Sequence, residues 1–162
     1  MKILAFIAII LCFFVEEAKA VNGQTQRTDT VTIAVKGTDL DARFEPVVVK
    51  IQPGDVLQFV VEEGLHTVTA YHPDNRRPLR MPEAAKAFDS GLLKPGDMWF
   101  LQIDVPGVYD YFCLPHERMG HAGRILAGTV NAIPNYPTGR IPQVVLKKLT
   151  TETNSFLKQT NN

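Results

Sequence analysis

The 162-residue chain carries 17 Lys plus Arg against 17 Asp plus Glu, is 45% hydrophobic and has two cysteines. Balanced charge argues against a nucleic-acid binder, whose phosphate contacts need clustered excess cation. The hydrophobic content is too high for a disordered chain and too low for a polytopic membrane protein, and the length suits one domain whose core needs no disulfide staples.

Met1-Lys2 is followed by uninterrupted apolar sequence from Ile3 to Val15, then by Glu16-Glu17-Ala18-Lys19-Ala20, which ends in a small-x-small pattern. This predicts a secretory signal over residues 1–20, cleaved after Ala20, and export to a periplasmic or extracytoplasmic space. The apolar run rises about 1.5 Å per residue and so falls short of a hydrocarbon core of about 30 Å, which predicts no stable membrane insertion after cleavage. Cys12 lies inside that run behind Leu11, not in a lipidation context. The mature chain would keep its neutrality and one cysteine, Cys113. An unpaired thiol in an oxidising compartment must be buried or used.

Residues 21–30 read as a polar, flexible N-terminus. Short runs rich in Val, Ile, Phe and Tyr follow: Val31 to Val35, Val47 to Ile51, Val56 to Glu62, His66 to Tyr71, Met98 to Val105, Gly107 to Cys113 and Gly123 to Asn131. Between them stand Gln52-Pro53-Gly54-Asp55, Glu63-Gly64, Lys94-Pro95-Gly96-Asp97 and Val105-Pro106-Gly107, which is turn chemistry. The spacing predicts an all-β Greek-key sandwich or barrel over residues 31–131. The long interruption from His72 to Leu93 is expected to be a loop bearing a short helix over Pro82 to Ala87, with Pro at its first turn. Residues 132–162 form a C-terminal extension. Within it Ile141 to Leu157 has the pattern of a helix packed on the sandwich, and Gln159 to Asn162 reads as mobile.

All four histidines, His66, His72, His116 and His121, fall near strand ends or loops. Cys113 and His116 are three residues apart with Pro115 stiffening the link, so both can turn onto one ion. His66 arrives from a distant strand, alternating with Val68 and Ala70 on an inward face. Two imidazoles and a thiolate are the donor set of an electron-transfer copper site.

The region from about Val31 to Asn131 resembles the small blue copper proteins, or cupredoxins, of the plastocyanin, pseudoazurin and amicyanin type. The resemblance rests on Phe44-Glu45-Pro46, the Gln52-Pro53-Gly54-Asp55 turn, His66-Thr67-Val68, Tyr109-Asp110-Tyr111-Phe112-Cys113, and Cys113-x-x-His116 followed by Gly123-Arg124-Ile125. It implies a cupredoxin-like sandwich holding one copper ion that cycles between copper(I) and copper(II), with His66, Cys113 and His116 as equatorial ligands. The family's axial methionine is where this chain departs. Its place, fixed by the downstream Gly123-Arg124-Ile125, is held by His121, while Met119 stands where a shorter amicyanin-like loop would put a methionine. Both are axial candidates, and His121 is favoured. An imidazole there is a stronger donor than a thioether. It predicts an oxidised protein that is green, red or pale rather than blue, with a lower potential.

His72 reads as a loop or outer-sphere residue, Tyr71, Tyr111 and Trp99 as core aromatics, and Glu117 and Arg118 as solvated charges. The chain shows no nucleophile-base arrangement, paired carboxylates, phosphate loop or second copper set, so a non-enzymatic electron carrier is the leading reading. Its partner would be a transient redox protein such as a cytochrome or oxidase. The alternatives are copper tolerance or delivery, and a small copper enzyme with an open coordination position. Arg76, Arg77 and Arg80 are candidates for docking an anionic partner surface.

Overall fold

The computed structural model describes residues 28–160; the signal-peptide reading, most of the N-terminal segment and the last two residues lie outside the described residues. Among the described residues eight strands form two sheets: β1 (Thr30–Lys36), β2 (Arg43–Glu45), β3 (Val48–Ile51), β4 (Val56–Val61), β5 (Thr69–Ala70), β6 (Met98–Gln102), β7 (Gly107–Phe112) and β8 (Ala122–Ala127). One sheet runs β2-β1-β4-β6 and the other β3-β8-β7-β5. Both are mixed, since β1 pairs with β4 and β3 with β8 in parallel, while the remaining pairs are antiparallel. This is a cupredoxin-like sandwich with a helix added, α1 (Gln143–Thr160).

The two sheets differ in how their residues are divided. In β1 and β4 alternate residues point inward, Ile33, Val35, Leu57, Phe59 and Val61 being buried between partly exposed neighbours. That is a sheet with one face on the core. In β8 every residue is buried, because α1 and the tail cover the outer face. Tyr71, Phe112 and Ala122 pack there against Ile141, Val145 and Leu149. Val48, Val108 and Leu126 meet Val130, Ile133, Tyr136, Phe156 and Leu157. The C-terminal extension is thus a third layer of the fold.

That layer is also fastened by charge. Asp110 on β7, fully buried, accepts hydrogen bonds from Arg80 Nε at 2.8 Å and from Arg124 Nε at 2.6 Å. Arg80 Nη1 reaches the Pro137 carbonyl at 3.1 Å, and Arg124 Nη1 reaches Thr153 Oγ1 of α1 at 3.1 Å.

Several expectations need correction. The Pro82 to Ala87 stretch makes a turn closed by Ala85 N–H to the Pro82 carbonyl; the short helix of the long loop is instead a 3₁₀ turn over Pro73–Asn75. The strand read over His66 to Tyr71 pairs only at Thr69–Ala70, with His66 in an isolated bridge to Leu93. Strand β2 was too short to read. Helix α1 carries through Gln159 and Thr160, because the Phe156 and Leu157 carbonyls accept from the Thr160 hydroxyl. Arg80 is buried rather than available for docking, and Glu117 is buried against Arg77 rather than solvated.

Candidate metal centre

His66, Cys113, His116 and His121 converge at one end of the sandwich, each offering a ligand atom within 4.8 Å of the others. His66 comes from the chain leading to β5. Cys113 follows β7, His116 sits in the 3₁₀ turn Leu114–Met119, and His121 immediately precedes β8. The turn is started by Pro115 near its N-terminus and ended by Gly120 in the left-handed region. That reversal brings His121 back beside Cys113, whose N–H bonds the His121 carbonyl at 3.0 Å.

Three donor atoms form a near-equilateral triangle: Cys113 Sγ to His66 Nδ1 is 3.5 Å, Cys113 Sγ to His116 Nδ1 is 3.4 Å, and the two Nδ1 atoms are 3.2 Å apart. The centre of such a triangle lies about 2 Å from each corner, the length of a metal–imidazole bond. His66 is oriented from behind. Its Nε2 faces only carbonyls, Glu63 O at 2.7 Å and Gly37 O at 3.0 Å, so Nε2 carries the proton and Nδ1 presents its lone pair to the centre. Gly64 permits this approach. A Cβ there would stand 2.6 Å from His66 Nε2, and its φ is +77°.

Thr67 ties the two halves of the site together. Its N–H points at Cys113 Sγ at 3.4 Å, and its hydroxyl accepts the Leu114 N–H at 2.8 Å. Thr67 was quoted in the sequence motif without a role; its adjacency to His66 was the available signal. Phe44 was missed in the same way. Its ring packs 4.0 Å, centroid to centroid, from His121.

Burial favours the neutral form of two of the imidazoles. Burial pushes His121 down to about 2, with His66 and Lys148 adding to the effect, and burial also lowers His116. Lys148 of α1 lies over Gly120, its Cδ 4.0 Å from where a Gly120 Cβ would stand. Burial raises the Cys113 thiol to about 11, opposed by the Thr67 amide. A thiol that resists ionisation in an apolar setting becomes a thiolate against a bound cation. Both ring nitrogens of His121 are buried without a hydrogen-bond partner among the described residues. Such an imidazole costs free energy unless a ligand completes it. The donor set therefore fits a soft, imidazole-accepting metal.

Met119 ends the 3₁₀ turn and is partly exposed. His72 is outside the cluster; its Nδ1 accepts the Asp74 N–H at 3.1 Å and caps the turn over Pro73–Asn75. Tyr71 and Tyr111 are fully buried core residues, and Trp99 packs partly buried against Phe59 and Phe88.

The fold and the donor set together define a copper protein: residues 30–128 match the copper binding proteins, plastocyanin/azurin family, and the chain belongs to that family. Its metal is copper. A putative pseudoazurin from Rhizobium leguminosarum bv. viciae is 31% identical over 115 residues, 70% of this chain and 70% of the relative. Pseudoazurin from Paracoccus pantotrophus is 33% identical over 101 residues, 62% of this chain and 63% of that protein, so the match spans just under two thirds of its length. In fold, the crystal structure of pseudoazurin from Methylobacterium extorquens AM1 superposes with a TM-score of 0.55 at 22% identity, covering 74% of this chain and 95% of that one.

Proposed function

We propose that this protein is an exported single-electron carrier in which His66, Cys113 and His116 hold one copper ion and His121 is its axial ligand. The observation that carries this reading is the convergence of a thiol and two oriented imidazoles on one point, with a third, unpartnered imidazole beside them. Copper bound there supplies a one-electron couple. The protein's part is to hold the donors nearly still in both oxidation states, through the Thr67 bracket, the two carbonyls behind His66 and the packing of Phe44 on His121. His121 is preferred to Met119 because its imidazole is wholly buried inside the cluster, whereas Met119 is partly exposed.

His116 is the one member of the cluster that is not fully buried. Beside it in sequence stand exposed Leu114 and Pro115, and Leu65 and Leu92 are exposed next to the bridged pair His66 and Leu93. An apolar rim around a partly exposed ligand suits brief contact with a redox protein, since small apolar interfaces release quickly. Four protein donors leave no designed opening for an oxygen or nitrogen substrate. Voltammetry at constant copper content is the test. A reversible one-electron wave with copper retained supports the carrier. Transfer of copper to an acceptor on reduction supports delivery instead, and sustained turnover with nitrite, superoxide or peroxide supports an enzyme.

A further inference from the structure

A cleft of about 650 Å³ opens beside the ligand loop, between the long loop and the C-terminal extension. Four arginines, Arg76, Arg77, Arg118 and Arg140, are among its lining residues, against a single acidic residue, Glu117. The arginines arrive from three separate segments. Arg76 and Arg77 follow the turn over Pro73–Asn75, Arg118 belongs to the turn over Leu114–Met119, and Arg140 precedes α1. Arg77 is committed to Glu117, with Nη2 to Oε2 at 2.7 Å and Nε to Oε1 at 3.1 Å. Arg76, Arg118 and Arg140 are exposed, and among the described residues none has an ion-pair partner within 4.0 Å. A chain with no net charge thus gathers three positive charges in excess around one concavity.

The cleft is also built to keep its shape. Pro73, Pro78 and Pro142 form its walls. Gly139, at φ +49°, lets the tail close on Pro78, where a Cβ would stand 2.6 Å from the proline ring. The opposite side is tied down by the Arg77–Glu117 pair. Proline walls and fixed backbone reduce the ordering cost of binding. The volume lies within the usual range for small-ligand sites, about 300–1,000 Å³. Planar guanidinium groups match the oxygen edges of carboxylates and phosphates, in pairs where geometry allows.

The geometry points to this cleft as a binding site for a small multivalent oxyanion, a polycarboxylate or a phosphate ester. It lies outside the donor cluster, so it stands whether or not the copper assignment does, and the metal-free protein serves for the test. Citrate and inorganic pyrophosphate are the probes, titrated by calorimetry and by amide shifts of Glu117, Arg118 and Gly139. One saturable site is expected, with a Kd of about 1 mM or lower, weakening with added salt. The variant Arg76→Ser/Arg118→Ser/Arg140→Ser should bind at least roughly tenfold more weakly, as loss of charge-assisted bonds implies, with an unchanged melting temperature because all three side chains are exposed. Preference for citrate marks a carboxylate site, and preference for pyrophosphate a phosphate site. Equal affinity in the triple variant, or no saturation with either probe, overturns the proposal. Binding of a hexaglutamate peptide but of neither small anion also overturns it, in favour of an acidic protein segment.

Discussion

Two buried polar clusters stand on either side of the β7–β8 hairpin, and they are finished to different degrees. Around Asp110 the carboxylate takes four guanidinium contacts, two of them from Arg80 and two from Arg124, and no side-chain atom of the cluster is left without a partner. Around Cys113 three donors face one another across 3.2–3.5 Å as lone pairs and a thiol, and neither nitrogen of His121 has a hydrogen-bond partner among the described residues. The first cluster is complete within the protein. The second needs a cation to complete it. Lack of a partner alone does not mark a metal site, since among the described residues the Tyr71 and Tyr111 hydroxyls also have none. Convergence of several donor atoms on a single point separates the two cases.

The contrast can be broken most forcefully from the finished side. Asp110→Ala leaves two buried guanidinium groups uncompensated and is expected to cost about 3–5 kcal/mol, read as a lowered denaturant midpoint with the slope unchanged. The loss should be the same with and without copper. On the unfinished side, copper should stabilise the wild type by about 4 kcal/mol at a free concentration a thousand times its Kd, and Cys113→Ala should lose most of that gain. Comparable copper stabilisation in Cys113→Ala would contradict thiolate ligation.

Smaller changes sharpen the comparison. Thr67→Val removes the acceptor of the Leu114 N–H and is expected to cost about 1–2 kcal/mol, with a shifted visible spectrum because the Cys113 loop relaxes. Thr153→Val, losing the bond from Arg124, should cost about 1 kcal/mol and leave the spectrum untouched. A spectral change in Thr153→Val but not in Thr67→Val would reverse the assignment of roles. The last effect is silent at neutral pH and appears only in alkali. Tyr109 and Tyr136 donate to the Val105 and Val108 carbonyls, and burial raises both from 10.0 to about 12. The folded protein keeps these protons where the unfolded chain releases them. Their stabilisation is therefore complete below about pH 10 and falls away as the pH rises through about 12. Phe variants at both positions should flatten that slope in a pH series of melts.

The sequence disclosed the two clusters unequally. His66, Cys113, His116 and His121 were legible because histidine and cysteine are few and their spacing is chemical. Asp110, Arg80 and Arg124 were not, because a charged residue in a strand or loop reads as solvated until something is known to cover it. The cover is α1, whose register could be read but whose docking face could not. The same cause hid the burial of Glu117, whose partner Arg77 is 40 positions away. The short β2 and the curtailed pairing of β5 were hidden differently: two or three residues carry too little periodicity to identify a strand, and their pairing is decided by neighbours distant in sequence.

The central claim, that an imidazole from His121 completes a cysteine-ligated copper centre, is most directly tested by comparing visible absorption of the copper(II)-loaded protein with that of His121→Ala. The wild type should depart from an ordinary blue spectrum toward green, red or pale, and His121→Ala should change it markedly, since a strong donor leaves the coordination sphere. An intense band like that of an ordinary blue site, unchanged in His121→Ala, would contradict it.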